Sequence, residues 1–251
     1  TLINVTSGTF TQTLSAVSSL PSGWYCYYRN TGTGVVTLDP NGSELIGGVT
    51  TAVCNPGDIW LIQSTGTAFL LNRLVGNNSV IYTSGTSTFT VPAGVYRIYA
   101  ECWGGGGGAS QATGAGAGGY AAGWLNVTPG DTITASVGSA GGSAGVDGST
   151  TTFSTFTANG GTGGVGGSAS LAPGGSASGG AINISGGNGG SQPTGGTMTA
   201  FASGGAAANG GLGFVGCGGG NGGIPGGGAA AGGGVTGPYS GGRGQINVWW
   251  V

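Results

Sequence analysis

The stretch ECWGGGGGASQATGAGAGGY, residues 101–120, decides the fold. It ends a strand-like alternation at Trp103 and then continues almost without side chains. Of the 251 residues 65 are glycine, whereas charged residues make up 4% and aromatic residues 8%. Disordered chains are typically charged and poor in aromatic residues, so this composition disfavours disorder. The glycines keep no strict period of three, which excludes a collagen triple helix.

The glycines divide the chain into two units. Twelve of the 65 lie in the first 100 positions and the other 53 follow. Residues 1–84 are predicted to form a small antiparallel β-sandwich, because short alternating strands recur between turn signals such as DPNGSE and NPGD. In this unit GWYCYYRN is predicted to pair with VVTLD across the turn TGTG. Residues 85–251 form a glycine-rich domain.

The second unit begins and ends with strands. STFTVPAGVYRIYAECW and the closing GQINVWWV alternate as strands, and GYAAGWLNVTPGDTITASVG is predicted to be a hairpin about Pro129 and Gly130. Phe153 and Phe156 are assigned to packing. The glycine tract is therefore clamped between strands, and the overall fold class is all-β plus irregular structure with almost no α-helix.

A glycine tract can hold itself together only through its backbone. Ordering a residue costs about 1–2 kcal/mol, and glycine has no apolar side chain to offset that cost. A bare backbone can approach another closely, and each buried N–H and C=O group must find a partner. Packed polyglycine II helices with three residues per turn meet both conditions. We therefore predict a bundle of such rods, with runs such as GGTGGVGG as single rods.

Interruptions between the glycine runs, such as AINIS at residues 181–185, are predicted to be the turns and ends of the rods, and their bulky residues are the candidate binding residues. A stiff frame without a core of side chains must place them at its ends or outside, and anchors held stiffly lose little entropy on binding. Packing between loops or at a trimer contact is as good an explanation for any one of them. The candidates are Leu171, Ile182, Ile184, Met198, Phe201, Phe214, Val215 and Tyr239.

Two regions resemble proteins of bacteriophage tails. GWYCYYRNTGTGVVTLDPNGSELIGG, residues 23–48, resembles a module that is frequent in tail fibre proteins. Residues 88–251, with TFTVPAGVYRIYAECWGGGGG, GGYAAGWLNVTPGDTITASVG, repeated glycine runs and GRGQINVWWV, are similar to the glycine-rich terminal domain of phage tail proteins. Some relatives of that domain are host-recognition adhesins of long tail fibres, built as polyglycine II sandwiches whose end loops touch bacterial surface proteins.

The resemblance implies a virion protein assembled in the bacterial cytoplasm. It would be a tail fibre or spike tip that docks to other tail proteins through residues 1–84 and binds a bacterial outer-surface protein or glycan through loops of the glycine-rich domain. Trimers are usual among tail fibres, which implies a homotrimer, although monomeric tips exist. The alternatives are a purely structural fibre or capsid decoration and, less favoured, an ice-binding protein.

Composition argues against several other functions. With four arginines, no lysine and no histidine there is no basic patch for nucleic acid. No run approaches 18 apolar residues, so no membrane insertion is expected. The six acidic residues are candidates for catalysis only in principle, because Asp39, Glu44, Asp58 and Asp131 adjoin turns, where capping of backbone N–H groups is the favoured role. We expect no enzyme and no cofactor.

The four cysteines have no zinc-site spacing, and no metal site is expected. Cys26, Cys54, Cys102 and Cys217 are widely separated. Small buried thiols are favoured, and a disulfide such as one between Cys26 and Cys54 is the open alternative.

Overall fold

A computed structural model of the protein describes residues 1–76, 78–110, 113–142, 145–165, 171–190, 203–213, 220–231 and 239–250. Within these ranges the chain has no α-helix, and one short 3-10 helix covers Val17–Ser19. The all-β prediction is confirmed. The candidate residues Met198, Phe201, Phe214 and Val215, together with Cys217, lie outside the described residues.

The first unit is a sandwich of two sheets. One sheet has the order β1-β3-β6-β7 and the other the order β2-β4-β5. Large side chains fill the space between the sheets, among them Tyr28, Leu38 and Ile62, each 0% exposed. The strands are β1 Leu2–Val5, β2 Phe10–Thr13, β3 Tyr25–Asn30, β4 Val36–Asp39, β5 Ala52–Cys54, β6 Ile59–Ser64 and β7 Phe69–Val75.

The pairing of β3 with β4 across TGTG is wrong. These two strands lie in opposite sheets, because the chain crosses between the sheets around the buried Asn30. The Asn30 side chain donates to the carbonyls of Gly34, at 2.8 Å, and Cys54, at 3.1 Å, and accepts from the N–H of Gly32. A hairpin would leave this buried amide without those partners.

The chain also crosses from one sheet to the other between β1 and β2. β1 runs parallel to β3, with Leu2 opposite Tyr27, and β2 runs parallel to β4, with Phe10 opposite Val36. The sandwich is therefore mixed rather than wholly antiparallel. Gly34 allows the two crossings to stack, since a Cβ at this position would collide with the carbonyl of Gly8.

The strands of the glycine-rich unit form a second sandwich. It includes β8, Ser79–Tyr82, although residues 1–84 were predicted to form the first unit, because β8 pairs with the closing strand Gln245–Trp250. The two sheets have the orders β16-β11-β10-β17-β8 and β15-β14-β13-β12-β9. Phe89, Phe153 and Phe156 from the second sheet pack against residues of the first such as Ile98 and Ile246, which confirms the packing role assigned to Phe153 and Phe156. The strands are β8 Ser79–Tyr82, β9 Gly85–Thr90, β10 Arg97–Trp103, β11 Tyr120–Asn126, β12 Thr132–Val137, β13 Thr151–Phe153, β14 Phe156–Ala158, β15 Ala177–Ser178, β16 Ile182–Ile184 and β17 Gln245–Trp250.

Two local predictions for this unit are corrected by the pairings. β11 and β12 do not form a hairpin about Pro129 and Gly130, because β11 pairs with β10 and β16 whereas β12 pairs with β9 and β13. Residues 181–185, predicted as a turn between rods, contain β16. β11 and β12 lie in different sheets because the buried face of each packs against the opposite sheet, whereas β16 is an exposed edge strand that pairs with β11.

Three cysteines are buried free thiols. Cys26, Cys54 and Cys102 are each 1% exposed or less and form no disulfide. Burial raises the pKa of Cys54 and of Cys102 to about 12, with smaller contributions from the nearby carboxylates of Asp58 and Glu101. The prediction of small buried thiols is thus confirmed for these three residues, which act as small apolar core residues.

The buried carboxylate of Asp58 stabilises a turn and an ion pair. One oxygen accepts from the N–H of Asn55 at 2.9 Å, and the other lies 2.6 Å from the guanidinium of Arg73. The predicted capping role of Asp58 is confirmed. Glu44 caps a distant segment instead of its own turn, because its carboxylate accepts from the N–H of Val17 at 3.0 and 3.1 Å.

Candidate functional site

The glycine tract forms extended rods that leave the strands and return to them. Residues 104–109, directly after β10, run outward, and residues 113–119 run back to β11. The same path recurs between later strands. The remaining rods cover residues 138–142, 145–149, 159–165, 171–176, 185–190, 203–207, 211–213, 220–223, 227–231 and 239–244.

Hydrogen bonds from the first rod have a period of three residues. Gly104 and Gly107 both donate to rod 113–119, at Gly119 and Gly116, and each of these N···O distances is 2.9 Å. The other donors alternate between two further rods. Gly105 and Gly108 donate to Ser149 and Val146, and Gly106 and Ala109 donate to Gly242 and Tyr239. Three neighbours in strict rotation are what a helix with three residues per turn requires, so the polyglycine II prediction is confirmed here.

The second rod has the same period and completes the centre of the bundle. Its donors from Gly114 to Gly116 reach rods 185–190, 227–231 and 159–165 in turn. The order repeats from Ala117 to Gly119, with Gly118 donating to Gly226, the residue directly before rod 227–231. Residues 104–109 and 113–119 are all buried. Backbone groups of these rods therefore satisfy one another in a dry interior, as a buried backbone must.

Glycine is required where rods touch. A Cβ at Gly106 would collide with the carbonyl of Gly227, and one at Gly116 would collide with that of Pro173. At Gly142 a Cβ would meet nothing within 4 Å. The close approach of neighbouring backbones, and no special backbone angle, thus explains why most interior rod positions are glycine.

The outer ends of the rods meet on one face, which we call the distal face. The N–H of Gly190 donates to the carbonyl of Ser203 at 2.7 Å, and that of Ala109 donates to Tyr239 at 3.0 Å. The hydroxyl of Thr113 donates to the carbonyl of Val165 at 2.9 Å. Residues 110, 113, 165, 171, 190, 203, 231 and 239, which border the undescribed segments of the tract, therefore belong to one end of the bundle.

The candidate residues separate into two groups. Leu171, 54% exposed, lies on the distal face. Tyr239 lies there too, but its ring is half-buried against a cluster of Ala109, Ala229 and Ala231.

Ile182 and Ile184 lie at the opposite end of the bundle. They belong to the sheet-edge strand β16 and are 46% and 41% exposed. They are therefore separated from the other described candidates by the length of the rods.

Sequence reasoning missed several exposed apolar residues of this region, among them Val165 and Leu212. Val165 is 63% exposed and lines a small depression of about 90 Å³ together with Leu171 and Pro173. Leu212, in rod 211–213, is 77% exposed. Each is a single bulky residue between glycines, and that isolation is the signal that could have identified them.

Carboxylates near the rods accept hydrogen bonds from a backbone N–H group and from a tyrosine hydroxyl. The carboxylate of Asp147 accepts from the N–H of Gly163 at 2.7 Å. Burial raises the pKa of Tyr120, and its hydrogen bond to the Glu101 carboxylate, at 2.7 Å, raises it further. Among the described residues no group of three or more metal-ligating side chains comes together.

No helix in the described part of the chain is long and apolar enough to cross a membrane.

A cleft of about 460 Å³ lies between the two units. Its walls include Val49, Val53 and Pro92, with Trp60 and Trp250 at the sides. Arg73 is the one charged side chain among its described lining residues, and it is held by Asp58.

These observations define a class of protein: a sheet-capped bundle of glycine rods whose outer ends share one face. A sequence model of the glycine-rich domain family matches residues 82–249. The match covers most of the chain, and the protein belongs to the glycine-rich domain family. No curated protein matches the chain.

Proposed function

We propose that the protein is a bacteriophage tail fibre or spike tip and that its distal face binds a receptor on the bacterial surface. The observation that carries this proposal is the convergence of the described rod ends on one face. Hydrogen bonds such as Gly190 to Ser203 and Ala109 to Tyr239 fix the bases of the connecting segments. Segments that leave from fixed bases lose little conformational entropy on binding.

The exposed residues of the distal face fit a recognition surface. Val165 and Leu171 present apolar side chains beside a shallow depression, although a bundle bonded through its backbone needs neither of them for packing. Exposed apolar side chains on a rigid frame are typical of contact sites with partners. The receptor in this proposal is an outer-surface protein or glycan.

The first unit supplies the other end of the molecule. Its sandwich contacts the glycine-rich unit through a backbone hydrogen bond from Gly94 to Gly47, at 2.9 Å, and leaves β1 and β2 as outer strands. We assign to this unit the docking onto other tail proteins, in keeping with the tail-fibre resemblance of residues 23–48. A homotrimeric assembly and a place on the virion belong to the same proposal.

Replacing residues 191–202 by a short Gly-Asn-Gly linker tests the recognition role. The linker only has to join Gly190 to Ser203, whose backbones are already hydrogen-bonded. We expect binding of the fluorescently labelled protein to its host cells, measured by flow cytometry, to be lost. The melting temperature should stay within about 3 °C of the parent, since the hydrogen bonds between the described rods, including that from Gly190 to Ser203, are kept.

A matched control replaces a segment of the first unit. Exchanging Thr65–Ala68, the turn between β6 and β7, for another four-residue turn should leave cell binding unchanged. If replacements of 191–202, 214–219 and 232–238 and the double variant V165S/L171S all leave binding unchanged, recognition by the distal face is excluded. A protein located at the tail tip that binds no cells would favour the structural fibre instead.

A further inference from the structure

The outer face of the sheet β16-β11-β10-β17-β8 carries an aromatic row away from the rods. Along β10 the buried residues Ile98 and Ala100 alternate with Arg97, Tyr99 and Glu101, which face outward. Trp124 of β11 lies directly opposite Tyr99 on one side, and Trp249 of β17 lies opposite it on the other. We call Trp124, Tyr99 and Trp249 the aromatic row.

The three side chains touch one another. The ring centroids of Tyr99 and Trp124 are 5.3 Å apart, and those of Tyr99 and Trp249 are 6.0 Å apart. The guanidinium of Arg97 stacks 4.4 Å from the centre of Trp124. Trp124 is nevertheless 47% exposed and Trp249 38% exposed. Since the backbones belong to three central strands of a sheet, the row is held in place before any ligand arrives.

Among the described residues, other segments of the protein cover one end of this sheet face. Trp103 and Tyr120 are buried there, because the segment at 207–208 lies over them and the indole N–H of Trp103 donates to the carbonyl of Ala208 at 2.8 Å. Tyr99 borders this covered cluster, whereas Trp124 and Trp249 lie outside it. The open part of the face also includes Ile81, which is 59% exposed.

The exposed area of the aromatic row indicates a small ligand and not a protein partner. Trp and Tyr side chains bury about 150–250 Å² each when covered, so a row that is less than half exposed offers roughly 200–300 Å². A stable protein interface needs about 800 Å² on each partner. The row is therefore too small to hold a second copy of the chain by itself, and it suits a chain ligand of a few units.

Polar side chains on the same face define the chemistry of that ligand. Asn247 faces outward beside Glu101, and Asn126 faces outward opposite Arg97. Amides offer both donors and acceptors, as hydroxyl groups require. Gln245 donates to the amide oxygen of Asn247 at 2.8 Å, which fixes the orientation of the latter. One arginine and one glutamate leave the face without excess charge, so a polyanion gains nothing there.

We propose that the aromatic row binds a neutral oligosaccharide chain. The apolar C–H face of a pyranose ring fits against an aromatic ring, while its hydroxyl groups at the edge find the neighbouring amides and the guanidinium. The rings are inclined to one another, by 66° between Tyr99 and Trp124 and by 42° between Tyr99 and Trp249. The rings therefore do not lie in one plane. A flexible glycan can adapt to them because its units rotate about their linkages, whereas a flat crystalline surface cannot.

This glycan site is separate from the distal face and does not depend on it. The row lies on the sheet at the base of the rods, toward Arg97, where β10 begins, whereas the distal face lies at their outer ends. One molecule would thus offer two surfaces of different chemistry. Loss of one activity and retention of the other would distinguish the two proposals.

Titration of the whole chain with neutral hexasaccharides tests the site. The probes are maltohexaose, cellohexaose and chitohexaose, with an anionic alginate hexamer as comparison, and binding is followed by calorimetry and by tryptophan fluorescence. We expect binding to at least one neutral probe and weaker binding to the anionic one. W249A and W124A should each weaken that binding by about fivefold or more, by analogy with the loss of one stacking partner.

Y25A is the matched control, since Tyr25 is 52% exposed and also pairs with a neighbouring ring, that of Tyr27, but on the first sandwich. It should bind the probe like the parent. N247A gives a second test that leaves the rings intact, and it should weaken binding without changing the melting temperature.

Three outcomes would overturn the proposal. The first is no binding of any neutral probe at millimolar concentration by the folded parent. The second is equal binding by the parent, W249A and W124A. The third is a fall in the mass of an oligomer, measured by light scattering, when either tryptophan is replaced, because the row would then be a contact between subunits.

Discussion

The two ends of this chain solve the problem of a stable interior in opposite ways. The first sandwich encloses large side chains, such as Tyr28, Leu38 and Phe69, that are almost fully buried. The centre of the rod bundle encloses glycine and alanine, and its order comes from N–H···O=C bonds between rods. One interior is held mainly by the removal of apolar surface from water, and the other by the mutual pairing of backbone groups.

The two interiors should therefore respond differently to substitutions. A side-chain core tolerates exchanges of similar volume, because neighbouring side chains can shift. A rod bundle has no such freedom, since at Gly106 or Gly116 even one added methyl group would meet a carbonyl of the next rod. The bundle should therefore be the more sensitive region to the smallest enlargements and the less sensitive to changes at its ends.

The largest effect is expected from Gly116→Val. The side chain would collide with the carbonyl of Pro173 and disturb the bonds that Gly116 makes with Thr162 and Gly107. Overpacking together with lost buried hydrogen bonds should lower the free energy of unfolding by about 4 kcal/mol or more. Urea denaturation measures this. The control G142A, at a position with open space, should change it by less than about 0.5 kcal/mol; equal losses would contradict backbone packing.

A smaller loss is expected from Leu38→Ala in the first sandwich. Leu38 is fully buried, and its removal leaves a cavity that costs about 3 kcal/mol. Its control is L45A, since Leu45 is 41% exposed and should be nearly neutral. Hydrogen exchange should show faster opening in residues 1–75 and unchanged protection of the rods. Uniform loss of protection across both units would show that they unfold as one.

Trp103→Phe tests the place where the two kinds of packing meet. Trp103 is 3% exposed, packs against Tyr120 at 5.0 Å between ring centroids and donates to Ala208. The lost hydrogen bond and the smaller ring should together cost about 2 kcal/mol in thermal or urea unfolding. W124F, on the exposed part of the same sheet face, should be nearly neutral. If W103F leaves the free energy of unfolding unchanged, the contacts of Trp103 with Tyr120 and Ala208 add no stability.

The smallest effect concerns alkaline pH. Burial raises the pKa of Cys54 from its ordinary value near 9.0 to about 12, so the thiol stays protonated in the fold while the unfolded thiol ionises first. Its contribution to stability is therefore complete below pH 9 and is lost as the pH rises toward 12. Unfolding midpoints measured from about pH 7 to 11 should fall above pH 9, and less steeply in C54A. An identical slope in C54A would exclude this thiol as a cause.

The sequence predicts features that depend on a local pattern, but it does not predict to which of two sheets a strand belongs. The three-residue period follows from the hydrogen bonding of a backbone without side chains, and it appears as predicted in residues 104–109 and 113–119. The alternation in GWYCYYRN identifies a strand but says nothing of its neighbour, which is fixed by the buried amide of Asn30.

The candidate site shows the same limit. Bulky residues that interrupt the glycine runs were the candidates. Of these, Leu171 is exposed at the rod ends, whereas Ile182 and Ile184 belong to β16, because their alternation with a polar residue is a strand pattern. The aromatic row could not be predicted from a local pattern, because its members come from three separate strands. Only the register of β11, β10 and β17 brings Trp124, Tyr99 and Trp249 side by side.

The three-way rotation of bonds in rods 104–109 and 113–119 has a thermodynamic consequence. The heat capacity change of unfolding grows with newly hydrated apolar surface and shrinks with newly hydrated polar surface. Melting a bundle of bare backbone hydrates mostly peptide groups, so its heat capacity increment per residue should be well below that of the first sandwich. Its stability curve would then be unusually flat, and the rods would keep their order across a wide span of temperatures, warm or cold.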